Sequence, residues 1–265
     1  MMTSLGPLFR KEVVDASRNR AALLPLAIVT VIALALPFVI AVIMPRITGE
    51  RLGGDADLVK ISRVAGLHND LGPDGQVQFF LFQQFLMMFL VMPITGAMAF
   101  ASYSVVGEKQ ARTLEPLLAT PITTLELLAA KVLGALAPTL AIAGAGLALY
   151  FAGVGLFADP GVLRAMMTAR TIVLILLVGP SSALVALQSA VLISSRVNDS
   201  RTAQQFGVLI IIPLIGLLIA QFTGSLWLSA WMLGVIGAGL LAVWVLLLLV
   251  SVAVFEREAI LTRWK

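Results

Sequence analysis

From Ala21 to Met44 no ionisable side chain interrupts the chain, and comparable apolar runs recur almost to its end. About 20 consecutive apolar residues in a helix cross the roughly 30 Å hydrocarbon core of a bilayer. Hydrocarbon offers no partner to a backbone N–H or C=O, so each such run must close its own hydrogen bonds as a helix. The runs lie at about 21–44, 79–106, 131–157, 171–194, 206–222 and 232–255. Only 12% of the 265 residues are charged, against about 25% in soluble domains. The expectation is an all-α integral membrane protein with six transmembrane helices, folded as a single domain over 21–265. The run 79–106 would cover about 42 Å, so it is tilted, bent at Pro93, or projects from the bilayer.

The first run is too long for the apolar core of a signal peptide, and no small-residue cleavage site follows Met44. Before it, Leu5, Leu8, Phe9, Val13 and Ala16 recur at helical spacing between Arg10, Lys11, Asp15 and Arg18. Residues 1–20 therefore read as an amphipathic helix lying in the membrane interface, in contact with lipid. Residues 45–78 carry nine charged side chains and several Gly and Pro, and read as a polar loop with a short helix near Leu58–Leu67. His68, the one histidine, has no partner there and receives no role. Gly179-Pro180-Ser181-Ser182 marks a kink in the fourth run, and Asp159–Arg170 reads as a short polar turn before it. The uncharged Thr223–Trp231 holds two tryptophans, which favour the interface, and reads as a segment dipping back toward the membrane.

Charge sets an orientation. Twelve of the 18 Lys and Arg fall on one side: four in 1–20, three in 107–131, two in 195–205 and three in the C-terminal tail. Eight of the 14 acidic residues share that side, leaving it at +4 and the other side neutral. The positive-inside rule makes the richer side cytoplasmic, with both termini there. A net charge of +4 on so apolar a chain points to the membrane face and not to nucleic acid.

No run carries Asp, Glu, Lys, Arg or His in its middle, which argues against a proton relay. The polar residues inside the runs are neutral. Gln84, Thr95, Ser102 and Gln188 are candidates for a weakly polar translocation path, and helix–helix hydrogen bonding is the competing reading. There is no G-x-x-x-x-G-K-[ST] loop, no H-E-x-x-H helix and no G-x-S-x-G elbow, so no catalytic, cofactor or metal site is expected in this chain. Lacking cysteine, it has no thiol chemistry.

A driving force would then have to enter from another protein, and one polar island supplies a grip for it. Gly107–Thr123 places Glu108, Arg112, Glu115 and two prolines between two apolar runs. Leu114, Leu117, Leu118 and Ile122 fall at helical spacing, and Thr123-x-x-Glu126 has the capping-box spacing that starts a new helix. Residues 107–128 are thus a docking segment, or an interfacial helix that only links two spans.

This segment resembles the link between spans two and three of type-2 ABC-transporter permeases. There an acidic residue, a basic residue, Thr-Leu-Glu, a leucine pair and Thr-Pro recur. Here they are Glu108, Arg112, Thr113-Leu114-Glu115, Leu117-Leu118 and Thr120-Pro121. Lys11-Glu12 with Arg18-Asn19-Arg20 resembles the family's N-terminal elbow helix. Arg196, Asn198, Asp199 and Arg201 resemble its second cytoplasmic loop, and Arg257 to Lys265 the tail of one subgroup. The resemblance implies a six-span subunit of a bacterial or archaeal plasma membrane that pairs with a second copy or a related permease. It implies a cytoplasmic ABC ATPase partner, which holds ATP and Mg, seated on a coupling helix around Glu108–Thr120. It implies export of a hydrophobic or amphipathic substrate. An ATP-independent carrier or channel, or a membrane scaffold, are the alternatives.

Overall fold

The computed structural model describes residues 5–66, 70–110, 124–196, 205, 212–213, 215–217, 219–223 and 225–254. Among them there is no strand. Helix α1 (Leu5–Arg18) is separated by Asn19 alone from α2 (Arg20–Phe38). A π-helical turn, Val39–Ile43, leads into α3 (Met44–Thr48), which ends on Gly49 in the left-handed region at φ 71°. Asp55 caps α4 (Ala56–Ser62) by accepting from the backbone N–H groups of Asp57 and Leu58. Then come α5 (Pro73–Leu86), a 3₁₀ turn (Met87–Leu90) and α6 (Val91–Gln110). Helix α7 (Thr124–Phe157) follows, then α8 (Val162–Met166) and α9 (Ala169–Val173). A second π turn, Leu174–Val178, joins α9 to α10 (Gly179–Arg196), and α11 (Ala230–Val254) closes the described chain.

Five helical stretches are long and apolar enough to cross a membrane: Leu23–Thr48, Pro73–Ala101, Leu128–Phe157, Ala169–Ser194 and Ala230–Ala253. They match five of the six apolar runs. In the run 206–222, residues 206–211, 214 and 218 lie outside the described residues, and the others are helical. Two expected boundaries move. The second helix starts at Pro73, six residues before the apolar run, because Gly72-Pro73 makes a helix start with proline in the first turn. The 45–78 segment is consequently more helical than a loop, and its short helix falls at Ala56–Ser62, not Leu58–Leu67.

The irregular turns have one cause. Proline has no N–H to give the carbonyl four residues back, and its ring crowds that carbonyl. The residues four before Pro45, Pro93 and Pro180 are Ala41, Phe89 and Leu176. Each falls inside a departure from α geometry: Val39–Ile43, Met87–Leu90 and Leu174–Val178. The kink expected at Gly179-Pro180 is thus a π turn placed just ahead of it, a common way to absorb such strain. Pro25, Pro37 and Pro138 sit inside helices that stay regular.

The bundle is arranged inside out relative to a soluble protein. Pro73–Ala101, the least apolar of the five stretches, is 89% buried, and Ala230–Ala253, among the most apolar, is 11% buried. Lipid solvates Leu and Val well and amides poorly, so the helix with four glutamines takes the centre. Helix α6 packs against α10, α7 and α2, while α11 lies outside against α10. At the core, Tyr150 packs between Phe82 and Phe89, and its hydroxyl donates to the Phe82 carbonyl at 2.7 Å. Helix α1 packs on α7, and its Arg10, Lys11 and Arg18 are exposed.

Candidate functional site

The polar side chains of α5 form a seam that ties the central helix to its neighbours. Near the end carrying residues 45–72, Gln76 donates to the Gly66 carbonyl at 2.7 Å. Gln78 exchanges hydrogen bonds with Asp159, accepting from its backbone N–H at 2.7 Å. Deeper in, Gln83 and Gln84 point to different neighbours because successive helical residues lie about 100° apart. Gln83 faces α9 and Gln84 faces the helical turn 219–222.

Between them lies Arg170. Thr168 caps α9 by accepting from the Thr171 N–H, which puts Arg170 in the first turn and only 7% exposed. Its Nε donates to the Leu228 carbonyl at 2.9 Å, Nη1 to Gln83 Oε1 at 2.5 Å and Nη2 to Gln221 Oε1 at 3.1 Å. Its Cζ stands 4.1 Å from the centre of the Trp227 ring, which stacks in turn on Phe80. Gln83 completes its own bonding by donating to Thr171 Oγ1 at 2.9 Å, and Gln84 Nε2 donates to the Gln221 carbonyl. Spans two and four, the 219–222 turn and the 225–229 segment therefore meet on one guanidinium.

That cluster is electrostatically incomplete. All three acceptors are neutral, and among the described residues no carboxylate pairs with Arg170. A cation in the first turn of a helix also gains nothing from the macrodipole. Guanidinium carries five N–H groups. Two of them, one on each terminal nitrogen, have no acceptor among the described residues. Gln84 Oε1 and Gln221 Nε2, both on fully buried side chains, have no partner either.

Arg170 is the residue that sequence reasoning missed. At the edge of an apolar run, after a polar turn, a lone arginine reads as interfacial. Its partners lie 87, 51 and 58 residues away, and no local pattern links them. The middles of the runs stay free of ionisable residues, but at their edges Arg170 and Lys131 are buried.

The candidate path residues separate. Gln84 is buried in the cluster just described. Thr95 is half-buried, and its hydroxyl donates back to Val91 and Met92 of its own helix. Thr139, Ser181 and Ser182 do the same with their preceding turns, the usual habit of hydroxyls in membrane helices. Gln188 is fully buried on α10, and neither its amide oxygen nor its nitrogen has a partner among the described residues. Ser102 lies on α6, just past its midpoint.

A cavity of about 200 Å³ opens between spans two, three and four. Its lining is apolar: Leu86, Phe89 and Leu90 from span two, Leu140, Ala143, Gly144 and Leu147 from α7, Leu174, Ile175 and Pro180 from span four. It forms where the Met87–Leu90 and Leu174–Val178 turns face one another.

Of the docking residues, Glu108 lies on the last turns of α6. Arg112, Thr113, Leu114, Glu115, Leu117, Leu118, Thr120 and Pro121 lie outside the described residues, as do Asn198, Asp199 and Arg201. Arg196 is the last residue of α10. The segment's described flanks are helical, α6 ending at Gln110 and α7 starting at Thr124 next to the expected capping box.

Long apolar helices around a polar central one define a polytopic helical membrane protein. Comparison with protein-family models matches residues 7–230 to the ABC-2 family transporter protein. The chain belongs to that family, whose members are membrane transport subunits. No curated protein matches it.

Proposed function

We propose that the chain is the permease subunit of an ATP-driven exporter whose ATPase is a separate protein. The family match over 7–230 carries this reading. The sequence supports it in two ways. It has no phosphate-binding loop of its own, and it has a polar, helix-compatible island at 107–128 on the side richer in Lys and Arg. In this reading the ATPase seats on Leu114, Leu117 and Leu118, with Glu108 and Arg112 as polar anchors. The 196–201 loop adds a second contact. Two permease copies pair in the membrane, α1 lies along its cytoplasmic face, and the substrate is apolar or amphipathic.

The test is co-purification of the chain with a P-loop ABC ATPase from the same cell, and measurement of substrate-stimulated ATP hydrolysis. Arg112→Glu and Leu117→Asp should each abolish binding or stimulation. Normal coupling in both variants would sink the docking role. Transport by the purified chain alone in liposomes, driven by an ion gradient, would replace the exporter reading with an ATP-independent carrier.

A further inference from the structure

We propose that Arg170 and the cavity beside it form one binding site for an amphiphile, with an anionic oxygen headgroup on Arg170 and Gln221 and an alkyl chain in the cavity. This deepens the exporter reading by naming its substrate class, and rests on that reading for the word substrate alone.

Three observations converge. The first is the charge. A buried cation is ordinarily matched by a buried anion, and here the guanidinium meets only amide and carbonyl oxygens and a ring face. The second is the surplus of donors. Among the described residues two guanidinium N–H groups and the Gln221 amide nitrogen are left over in one cluster, against one unpartnered acceptor, Gln84 Oε1. Because Gln221 must turn its oxygen toward Arg170, its nitrogen cannot be satisfied there by flipping the amide. Phosphate and carboxylate oxygens accept several such bonds at once, and the planar guanidinium fork fits them.

The third observation is the cavity. Leu174 follows Arg170 by four residues, and Leu86 and Leu90 follow Gln83 by three and seven, so they share helix faces with the polar groups. Leu174, which lines the cavity, stands about one turn, roughly 6 Å of helix rise, beyond Arg170 in span four. A cavity of about 150 Å³ lined by Leu and Phe admits benzene, so about 200 Å³ accepts a short length of alkyl chain. Headgroup chemistry and tail chemistry thus adjoin.

The test uses the full chain in nanodiscs of zwitterionic lipid, with four probes: dodecyl phosphate, butyl phosphate, dodecylphosphocholine and inorganic phosphate. Trp227 lies on the guanidinium, so its emission reports the site, and subtraction of a Trp227→Phe protein isolates it. Dodecyl phosphate should give a saturable change. Arg170→Gln should weaken it about tenfold to a hundredfold, as expected for loss of charged hydrogen bonds, and Arg170→Lys should weaken it less. Gly144→Leu tests the tail separately. A Cβ at Gly144, which lines the cavity, meets nothing within 4 Å, so a leucine there should be tolerated and take up cavity space, and it should weaken dodecyl phosphate but not butyl phosphate. Equal affinity in wild type and Arg170→Gln overturns the proposal, as does equally tight dodecylphosphocholine. A saturable response to inorganic phosphate as strong as that to dodecyl phosphate overturns the amphiphile in favour of a free anion. No ATPase takes part, so failure here leaves the docking reading standing, and failure of ATPase coupling leaves this binding standing.

Discussion

Replacing Gln83 with leucine tests whether Arg170 is held by its neighbours or only lies beside them. The two side chains are close in size and helix propensity, and Gln83 is 1% exposed, so packing changes little. What goes is the acceptor of Arg170 Nη1 at 2.5 Å and a donor to Thr171. Thr171 Oγ1 keeps its bond to the Met166 carbonyl at 2.7 Å, so its share is small. A hydrogen bond to a charged group contributes about 1.5–3 kcal/mol. A buried charge stripped of a partner costs up to about 3–5 kcal/mol. Gln83→Leu should therefore destabilise the fold by about 2–3 kcal/mol. Arg170→Met should also destabilise it, since Gln83 and Gln221 then lose their donor. The double variant should cost less than the sum of the two by at least about 1.5 kcal/mol, because neither residue is left with an orphan. The assay is reversible unfolding in mixed micelles followed by tryptophan fluorescence, with all four proteins under one condition. Strict additivity within about 0.5 kcal/mol would show that the contact carries no coupling and would refute the cluster as a structural unit.

Two further changes probe the core. Tyr150→Phe removes the bond to the Phe82 carbonyl and keeps the ring contacts, so a loss of about 0.5–1.5 kcal/mol is expected in the same unfolding assay. Gly153→Ala puts a Cβ 2.6 Å from Phe38 Cζ. That ring is wedged against Phe82, Tyr150 and Phe157, so it cannot swing away, and overpacking should lower stability by about 1–3 kcal/mol. Gly144→Ala, with open space around it, should instead be neutral or stabilising by up to about 1 kcal/mol.

How far the chain can be read without coordinates follows from where each signal resides. Helical spans are written locally, as uninterrupted apolar runs, and five of them are recovered within a few residues. Their ends are less legible. Pro73 starts a helix that the hydropathy of Asp74 to Gln78 hides, and the polar 45–72 segment folds into short helices because Asp55 and Gly49 supply the ends. Proline joints are legible as residue types but not as geometry: Pro45, Pro93 and Pro180 disturb their helices, while Pro25, Pro37 and Pro138 do not. The Arg170 cluster is the least legible feature, because it exists only once spans two and four and the 219–229 segment meet. One arginine at a span edge does not announce in the sequence that it turns inward. The family likeness, carried by Glu108 to Pro121, is the reverse case, since it lies in linear sequence and agrees with a match extending over 7–230.

The burial of Pro73–Ala101 has a consequence for how the protein is made. A nascent helix leaves the insertion machinery into lipid only as readily as its side chains dissolve there, and Gln76, Gln78, Gln83 and Gln84 oppose that step. Gln76 bonds to Gly66, which is already made, but the partners of Gln78, Gln83 and Gln84, at Asp159, Thr171 and Gln221, are synthesised later. The second span must therefore wait, sheltered beside the first, until spans three and four and then the 219–222 turn emerge and give its amides somewhere to bond. Assembly order in this bundle is thus set by its middle helix, the one that meets lipid least once the fold is complete.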